Sequence, residues 1–371
     1  MNRRLLVGVL LVGLHLFVGV TLIPDLALGL PGTVLAWAYL MLSALLMRYG
    51  VLVRGAGSAL LAWSGLLAMG IFSSLAIFSL VRAFVLVLAS LLGWESAELT
   101  RGSALGVIVG VLAVTLLGVL NARRTARVMQ RDITLCSLPA AMNGFSIVQL
   151  SDIHVGPTIK QGYIDAIVKR VNGLSPDLIV ITGDLVDGSV ADLADDISPL
   201  AQLSARYGVY VVTGNHEYYS GADSWIAEFE RLGMKVLLNR HVLLEHAGAQ
   251  LVLAGIADYS AELFSPSHKS DPVAAFAGAP QDAPRILLAH QPRSAKAAAE
   301  VGCHLQLSGH THGGQFWPWM HFVRWQQPWV AGLQRLGEMQ IYISRGTGYW
   351  GPPLRFAAPS EIARIRLLST E

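Results

Sequence analysis

"FSIVQLSDIH", residues 145–154, decides the fold. Its first six residues carry no charge, and the chain then runs straight into Asp152 and His154. A short apolar run of this kind reads as a strand buried in a sheet, with polar chemistry placed where the strand ends. Two later stretches repeat the plan. "DLIVITGD" (177–184) ends on Asp184, and "GVYVVTGNHE" (208–217) ends on Asn215, His216 and Glu217. Between them, residues 160–172 space Tyr163, Ile164, Ile167, Val168 and Val171 as one face of a helix, and residues 192–206 read as a second helix. Strand, helix, strand, helix, strand implies parallel pairing with helices packed outside, an α/β fold. Ligands in such sheets lie at the carboxyl ends of the strands, where these polar clusters fall.

Further strands are expected at 250–256, 285–289, 304–307, 340–344 and 362–368. "RILLA" delivers His290, and "HLQLS" delivers His310 and His312. Five strand ends therefore present carboxylate, imidazole and amide groups to one face. Such mixed ligands suit Mn, Fe or Zn better than Ca or a thiolate site. A histidine without that setting is read as structural, which covers His15, His241, His246, His268, His304 and His321. The two cysteines, Cys136 and Cys303, cannot form a disulfide framework and are both expected to be buried small hydrophobes.

The chain before residue 132 is of another kind. Residues 1–131 hold ten arginines and three acids, a net +7, while the remaining 240 residues hold 17 basic and 22 acidic groups, a net −5. A nucleic-acid partner would call for the basic excess on the soluble part, so the balance excludes one. Apolar stretches at about 5–23, 29–47, 57–80 and 102–120 are each long enough to span a bilayer. A cleaved signal peptide is the alternative for the first, disfavoured by the spans that follow it. Arg3, Arg4, Arg48, Arg54, Arg123, Arg124, Arg127 and Arg131 fall on one side of a four-span arrangement, with Asp25, Glu95, Glu98 and Arg101 opposite. Positive residues stay inside, so both termini and the soluble part are expected to be cytoplasmic. Arg82, inside the third apolar region, either snorkels to the interface or lines a polar groove. The expected division is a transmembrane region at 1–121, a linker at 122–143 and a catalytic domain at 144–371.

The set "DIH", "GD", "GNHE", His290 and "GHTH" resembles, in order, the five blocks of the calcineurin-like metallophosphoesterases. "GNHEYYSG", "GHTHGGQ" and "SRGTGYWGPPLRFAAPSEI" look more narrowly like a membrane-linked bacterial branch. That branch includes enzymes that hydrolyse UDP-diacylglucosamine in lipid A synthesis. The resemblance implies a four-layer α/β/β/α sandwich behind a four-helix transmembrane region. It implies two divalent cations, Mn first with Fe, Zn or Mg as alternatives. Asp152, His154, Asp184 and His312 would hold one; Asp184, Asn215, His290 and His310 would hold the other, with Asp184 bridging. A pair of cations about 3.5–4 Å apart can activate a shared water for attack on phosphorus. His216 would stabilise the transition state or protonate the leaving oxygen. Glu217 is open between orienting His216 and a surface role, and Asp187 and Asp258 are read as structural.

Directly after His312 comes "FWPWMHFVRWQQPW" (316–329), with four tryptophans in fourteen residues. Core packing is one reading. The absence of a clean period and the interruptions at Arg324, Gln326 and Gln327 favour a segment that meets lipid at the inner leaflet. The expected function is thus hydrolysis of a phospholipid or nucleotide-lipid substrate at the bacterial inner membrane. A membrane-tethered phosphodiesterase for soluble nucleotides is the alternative enzyme, and a metal-stabilised, non-catalytic membrane scaffold the alternative of another class.

Overall fold

The computed structural model of the chain describes residues 3–52 and 58–370. Arg54, counted above among the arginines of one side, and Gly57, the expected start of the third span, lie outside the described residues. The chain divides into two compact units.

The first unit comprises the described residues of 1–53 and 57–120 together with 351–354. It contains α1 (Arg3–Leu22), α2 (Gly29–Leu52), α3 (Ala59–Leu91) and α4 (Ala97–Arg123), whose last turn belongs to the second unit. All four helices are long and apolar enough to cross a membrane. Pro24 opens a single 3-10 turn between the first two, since it cannot continue a helix. Val18, Leu22, Leu40, Phe72, Leu75 and Val107 form the inner cluster, while Leu30, Leu35, Leu45, Leu60 and Leu91 face outward. Apolar residues on both faces suit a lipid surround. The second and third helices approach backbone to backbone: a β-carbon on Gly65 would overlap Leu46 O and Gly50, the use of small residues expected between membrane helices.

Arg82 is held between helices. Its side chain is buried and paired with Asp25, and Nε donates to Ser103 Oγ (2.9 Å). Nη1 donates to Thr21 O (2.6 Å) and Nη2 to Thr100 O (3.0 Å). One guanidinium thus ties α1, α3 and α4 and satisfies a charge that would otherwise be costly there.

The second unit holds twelve strands and seven helices among the described residues. In chain order they are β1 (Arg127–Leu135), β2 (Ser146–Leu150), α5 (Gln161–Asn172), β3 (Leu178–Thr182), α6 (Val190–Ile197), β4 (Val209–Val212), α7 (Asn215–Ser220), α8 (Ala222–Arg231), β5 (Lys235–Val236), β6 (Arg240–His246), β7 (Ala249–Gly255), α9 (Pro272–Ala275), β8 (Arg285–Leu288), α10 (Ala295–Glu300), β9 (Leu305–Ser308), α11 (Trp319–Val323), β10 (Gly332–Leu336), β11 (Met339–Ile343) and β12 (Glu361–Ser369). They form two six-stranded sheets, ordered β1-β12-β2-β3-β4-β5 and β10-β11-β9-β8-β7-β6. Strands β2 to β5 run parallel, as do β7, β8, β9 and β11; β12 against β2, β6 against β7 and β10 against β11 are antiparallel.

The sheets face each other across one apolar layer that includes Ile147, Val180 and Val212 from the first and Leu253, Leu288 and Leu307 from the second. The helices α5, α6 and α8 cover the outer face of the first sheet, through Ile164, Ile167, Leu193, Trp225 and Phe229. On the second, α9 and α10 contribute Ala275 and Ala298 to a smaller outer layer. The α/β/β/α order of layers is the one expected.

Three readings need correction. Residues 122–143, taken as a linker, contain β1, which pairs in parallel with β12 over nine residues. The helix expected at 192–206 is α6 followed by a 3-10 segment, Ser198–Gln202, because Pro199 cannot donate to the α-helical ladder. Cys136, expected to be buried, is exposed, whereas Cys303 is buried.

The Arg82 anchor is testable. Arg82→Leu should lower stability by roughly 3–5 kcal/mol, because Asp25 and three further acceptors lose their donor. The measurement is the melting temperature of the detergent-solubilised protein. Asp25→Asn, which leaves the guanidinium its neutral acceptors, should cost less; equal melting temperatures for wild type and Arg82→Leu would refute the anchor.

Candidate metal centre

Each expected ligand sits where its strand stops. Asp152 and His154 follow β2, Asp184 follows β3, and Asn215 opens α7 after β4. From the second sheet, His290 follows β8, and His310 and His312 follow β9. The backbone turns sharply at these points. Asp152, His154, Asp184, His310 and His312 all have positive φ, between 51° and 69°. Non-glycine residues avoid that region at a cost of about 1–3 kcal/mol each, so their clustering here marks a site held in shape by its surroundings. Gly309 permits the closest approach: a β-carbon there would overlap Ser151 Oγ and Asp152 Oδ2.

The side chains converge. Potential ligand atoms of Asp152, His154 and His312 lie within 4.8 Å of one another, as do those of Asp184, His290 and His310 and those of His154, Asp184 and His216. Nε2 of His154 faces Nε2 of His312 at 3.0 Å, and His290 Nε2 faces His310 Nδ1 at 3.1 Å. Asp184 Oδ2 is 3.2 Å from His290 Nε2 and 3.8 Å from His154 Nε2, so it stands between the two groups.

The surroundings fix which nitrogen looks inward. His290 Nδ1 donates to Thr182 O (2.7 Å), and His154 Nδ1 donates to Asp187 Oδ1 (3.1 Å), leaving each Nε2 lone pair aimed at the centre. Fully buried Arg355 donates to His312 O (2.7 Å), fixing the backbone of that residue beside the centre. Burial, reinforced by neighbouring His290, lowers the His310 imidazole to about 3, and burial with His154 lowers His312 well below its usual range. Both are therefore neutral and able to ligate. Despite burial, Asp184 is held well below the usual carboxylate range by His290 and His216.

These residues fit divalent cations, and one atom tests the fit. Asn215 Oδ1 is buried and has no hydrogen-bond partner among the described residues. A buried amide oxygen so placed costs about 1–3 kcal/mol unless something accepts its lone pairs. It opens α7, next to Asp184, whose Oδ1 accepts the His216 amide at 2.9 Å. A cation shared with Asp184, His290 and His310 would satisfy it.

His216 points at the same centre from outside the ligand set. Its Nδ1 donates to Asp187 Oδ1 at 2.5 Å. Burial alone would lower its pKa, but Asp184, Asp187 and Glu217 raise it to about 9, so the ring carries a proton at neutral pH. Asp187, read from sequence as structural, in fact holds both His154 and His216. Glu217 has no surface role. It is fully buried and accepts the amides of Asp184 (2.9 Å), Leu185 (2.7 Å) and Gly214 (2.6 Å), joining the ends of β3 and β4. Burial, with Asp184 nearby, pushes its carboxyl up to about 7, against three N–H donors that favour the ionised form. Asp258 stays outside the centre, accepting from Ser260 and from Gln291 beside His290. The spacing in "GDLVD" was the available signal for Asp187; for Arg355 there was none.

The tryptophan-rich segment splits. Phe316 is buried, and Trp329 packs against the outer layer of the second sheet. Between them an edge-to-face series steps outward, Phe316 to Trp319 (6.4 Å), Trp319 to Phe322 (5.5 Å) and Phe322 to Trp325 (5.1 Å). Trp325 is 80% exposed, so core packing does not explain it.

Two substitutions separate ligand from acid. Asn215→Ala removes an unpaired oxygen, so the metal-free protein should be no less stable, while the rise in melting temperature on adding Mn²⁺ should shrink. His216→Ala should keep its metal content and lose roughly 10²–10⁴ in turnover. Loss of metal in the His216 variant, or an undiminished Mn²⁺ effect in the Asn215 variant, would reverse the assignments.

Comparison with known proteins places the chain in a family. The model of the calcineurin-like phosphoesterase family matches residues 145–314. A Danio rerio protein described as a transmembrane protein with metallophosphoesterase domain is 40% identical over 269 residues, covering 70% of this chain and 61% of that protein. The chain thus spans less than two thirds of that relative. An uncharacterized metallophosphoesterase of Bacillus subtilis is 31% identical over 248 residues, covering 63% of this chain and 82% of its own length. Among solved structures, the NAD nucleotidase of Haemophilus influenzae aligns with a TM-score of 0.40 at 15% identity, over 55% of this chain and 50% of that one. The chain belongs to the calcineurin-like metallophosphoesterases, a family of metal-dependent phosphoester hydrolases.

Proposed function

We propose that this chain is a membrane-anchored phosphohydrolase that uses two divalent cations, Mn²⁺ first, to cleave a phosphate-containing lipid or lipid precursor. The observation that carries the lipid reading is the aromatic series from Phe316 to Trp325, which begins four residues after His312 and ends in a solvent-exposed indole. Indole rings favour the bilayer interface, and this series gives acyl chains an apolar surface connected to the ligand-bearing loop. A glycerophospholipid diester and a nucleotide-diphospho-lipid such as UDP-diacylglucosamine both belong to the class. The arginine distribution supports a bacterial inner-membrane enzyme with its catalytic unit in the cytoplasm.

The cations, when bound, activate water and draw charge from the phosphoryl oxygens. Asp152, His154, Asp184, Asn215, His290, His310 and His312 would hold and neutralise them. His216 would present Nε2–H to the departing oxygen, with Asp187 at Nδ1 fixing the direction of that bond.

An activity panel on the full-length, Mn²⁺-loaded protein in detergent tests the reading. Lipid phosphodiesters or nucleotide-lipids should be preferred over soluble nucleotide diesters. Preference for the soluble compounds would leave the helices as a tether, and no turnover on either would favour a scaffold. Replacing Trp317, Trp319 and Trp325 together by Ser should cost the lipid at least about tenfold more than a small chromogenic diester, since an acyl chain contributes about 0.8 kcal/mol per buried CH₂. Orientation has its own readout: a reporter after residue 371 should behave as cytoplasmic and one near Glu98 as external.

A further inference from the structure

His216 is bordered on its open side by aromatic rings. The Tyr219 ring lies 5.1 Å from the imidazole at 60°, and the Trp350 ring 5.6 Å away at 74°. Phe264 extends the surface, 5.3 Å from Tyr219. Tyr219, Trp350 and Phe264 are 45%, 49% and 52% exposed, so each keeps a solvent-accessible ring surface near His216.

Trp350 is placed there deliberately by the fold. The side chain of buried Gln315 donates from Nε2 to Trp350 O (2.8 Å) and accepts from Trp350 N (2.9 Å). Gln315 is itself held at φ 58°, a left-handed conformation costly for a glutamine. Tyr219 rides on α7, whose first residue is Asn215, so its position is tied to that of a ligand. An exposed indole whose own backbone is held at both N and O by a buried side chain is a built surface.

The nearest fixed charge on the His216 side is Asp187, bonded to the ring, which would repel an anionic leaving group and tolerate an uncharged one.

We infer that Tyr219 and Trp350 form a leaving-group subsite at His216 that takes the apolar alcohol of the lipid, so the bond cleaved is the P–O–C ester to a diacylglycerol-type alcohol. The inference rests on the lipid substrate proposed above and goes further, choosing between the two esters of a phosphodiester and against a phosphoanhydride. In the step, water oxygen bonds to phosphorus and the P–O bond to the lipid alcohol breaks. His216 Nε2 gives its proton to the departing oxygen and regains one from the consumed water through solvent. The products are a neutral alcohol and a headgroup phosphomonoester, with no change of oxidation state.

The test uses full-length, Mn²⁺-loaded protein with dihexanoyl phosphatidylglycerol and its deacylated counterpart, glycerophosphoglycerol, products being identified by mass spectrometry. Wild type should release diacylglycerol and glycerol phosphate. In Tyr219→Ala and Trp350→Ala the preference for the lipid over its deacylated counterpart, as a ratio of kcat/KM values, should fall at least about tenfold. Tyr219→Phe and Trp350→Phe, which keep the rings and guard against a folding artefact, should recover most of it. Release of phosphatidate and glycerol, or an unchanged ratio in both Ala variants, would overturn the subsite while leaving a lipid substrate standing. Hydrolysis of glycerophosphoglycerol with none of the lipid would overturn the lipid reading itself.

Discussion

One carboxylate joins the working ends of the two sheets. Asp152, at the end of β2, accepts the His310 amide with Oδ1 at 2.9 Å and Oδ2 at 3.0 Å. Gln149 makes a second join, donating to Thr182 Oγ1 and Ser308 O at 2.9 Å each, inside the otherwise apolar layer. Register within each sheet is set by its own ladder, but nothing in a ladder aligns one sheet with the other. Buried polar groups do so because leaving them unpaired is costly. With the ends of β2 and β9 aligned, the three clusters of ligand atoms follow.

The centre stores its cost locally. Five candidate ligands at positive φ and an amide oxygen without a partner among the described residues oppose folding, and the packed layers on either side offset them. A cation bound there would offset part of this cost and so link metal affinity to fold stability. Around the ligands a further set of residues does no ligation. Asp187, Arg355, Glu217 and Thr182 O set ring directions and backbone positions, fixing each imidazole as a ligand or as a proton donor.

The two aromatic surfaces have a common origin. Gln315, three residues after His312, precedes Phe316 at the root of the outward series and also pins Trp350 beside His216. Both surfaces are therefore anchored by the loop that carries His310 and His312.

The legible part of this protein was whatever depends on local pattern. Four apolar stretches gave four helices, and buried parallel strands, apolar on both faces, announced themselves as short runs ending in Asp, Asn or His. The strands that escaped notice, β1, β5, β6 and β10, are edge strands, each partly exposed and carrying polar residues or only two residues long, so no apolar run marks them. Arg82 shows the same divide within the apolar helices: its presence was plain, but its partners Asp25, Thr21, Thr100 and Ser103 are supplied by other helices. Asp187, Arg355, Gln315 and Trp350 acquire their roles only by proximity to residues remote in the chain. Sequence by itself determined the four long apolar helices, the layered α/β class and the types of the candidate ligands, because each follows from residues that are neighbours along the backbone. Tertiary structure decided which nitrogen faces the centre, which oxygen is left for a cation and which rings border the proton donor, because hydrogen bonds and ring contacts between distant segments exist only once the two sheets have packed.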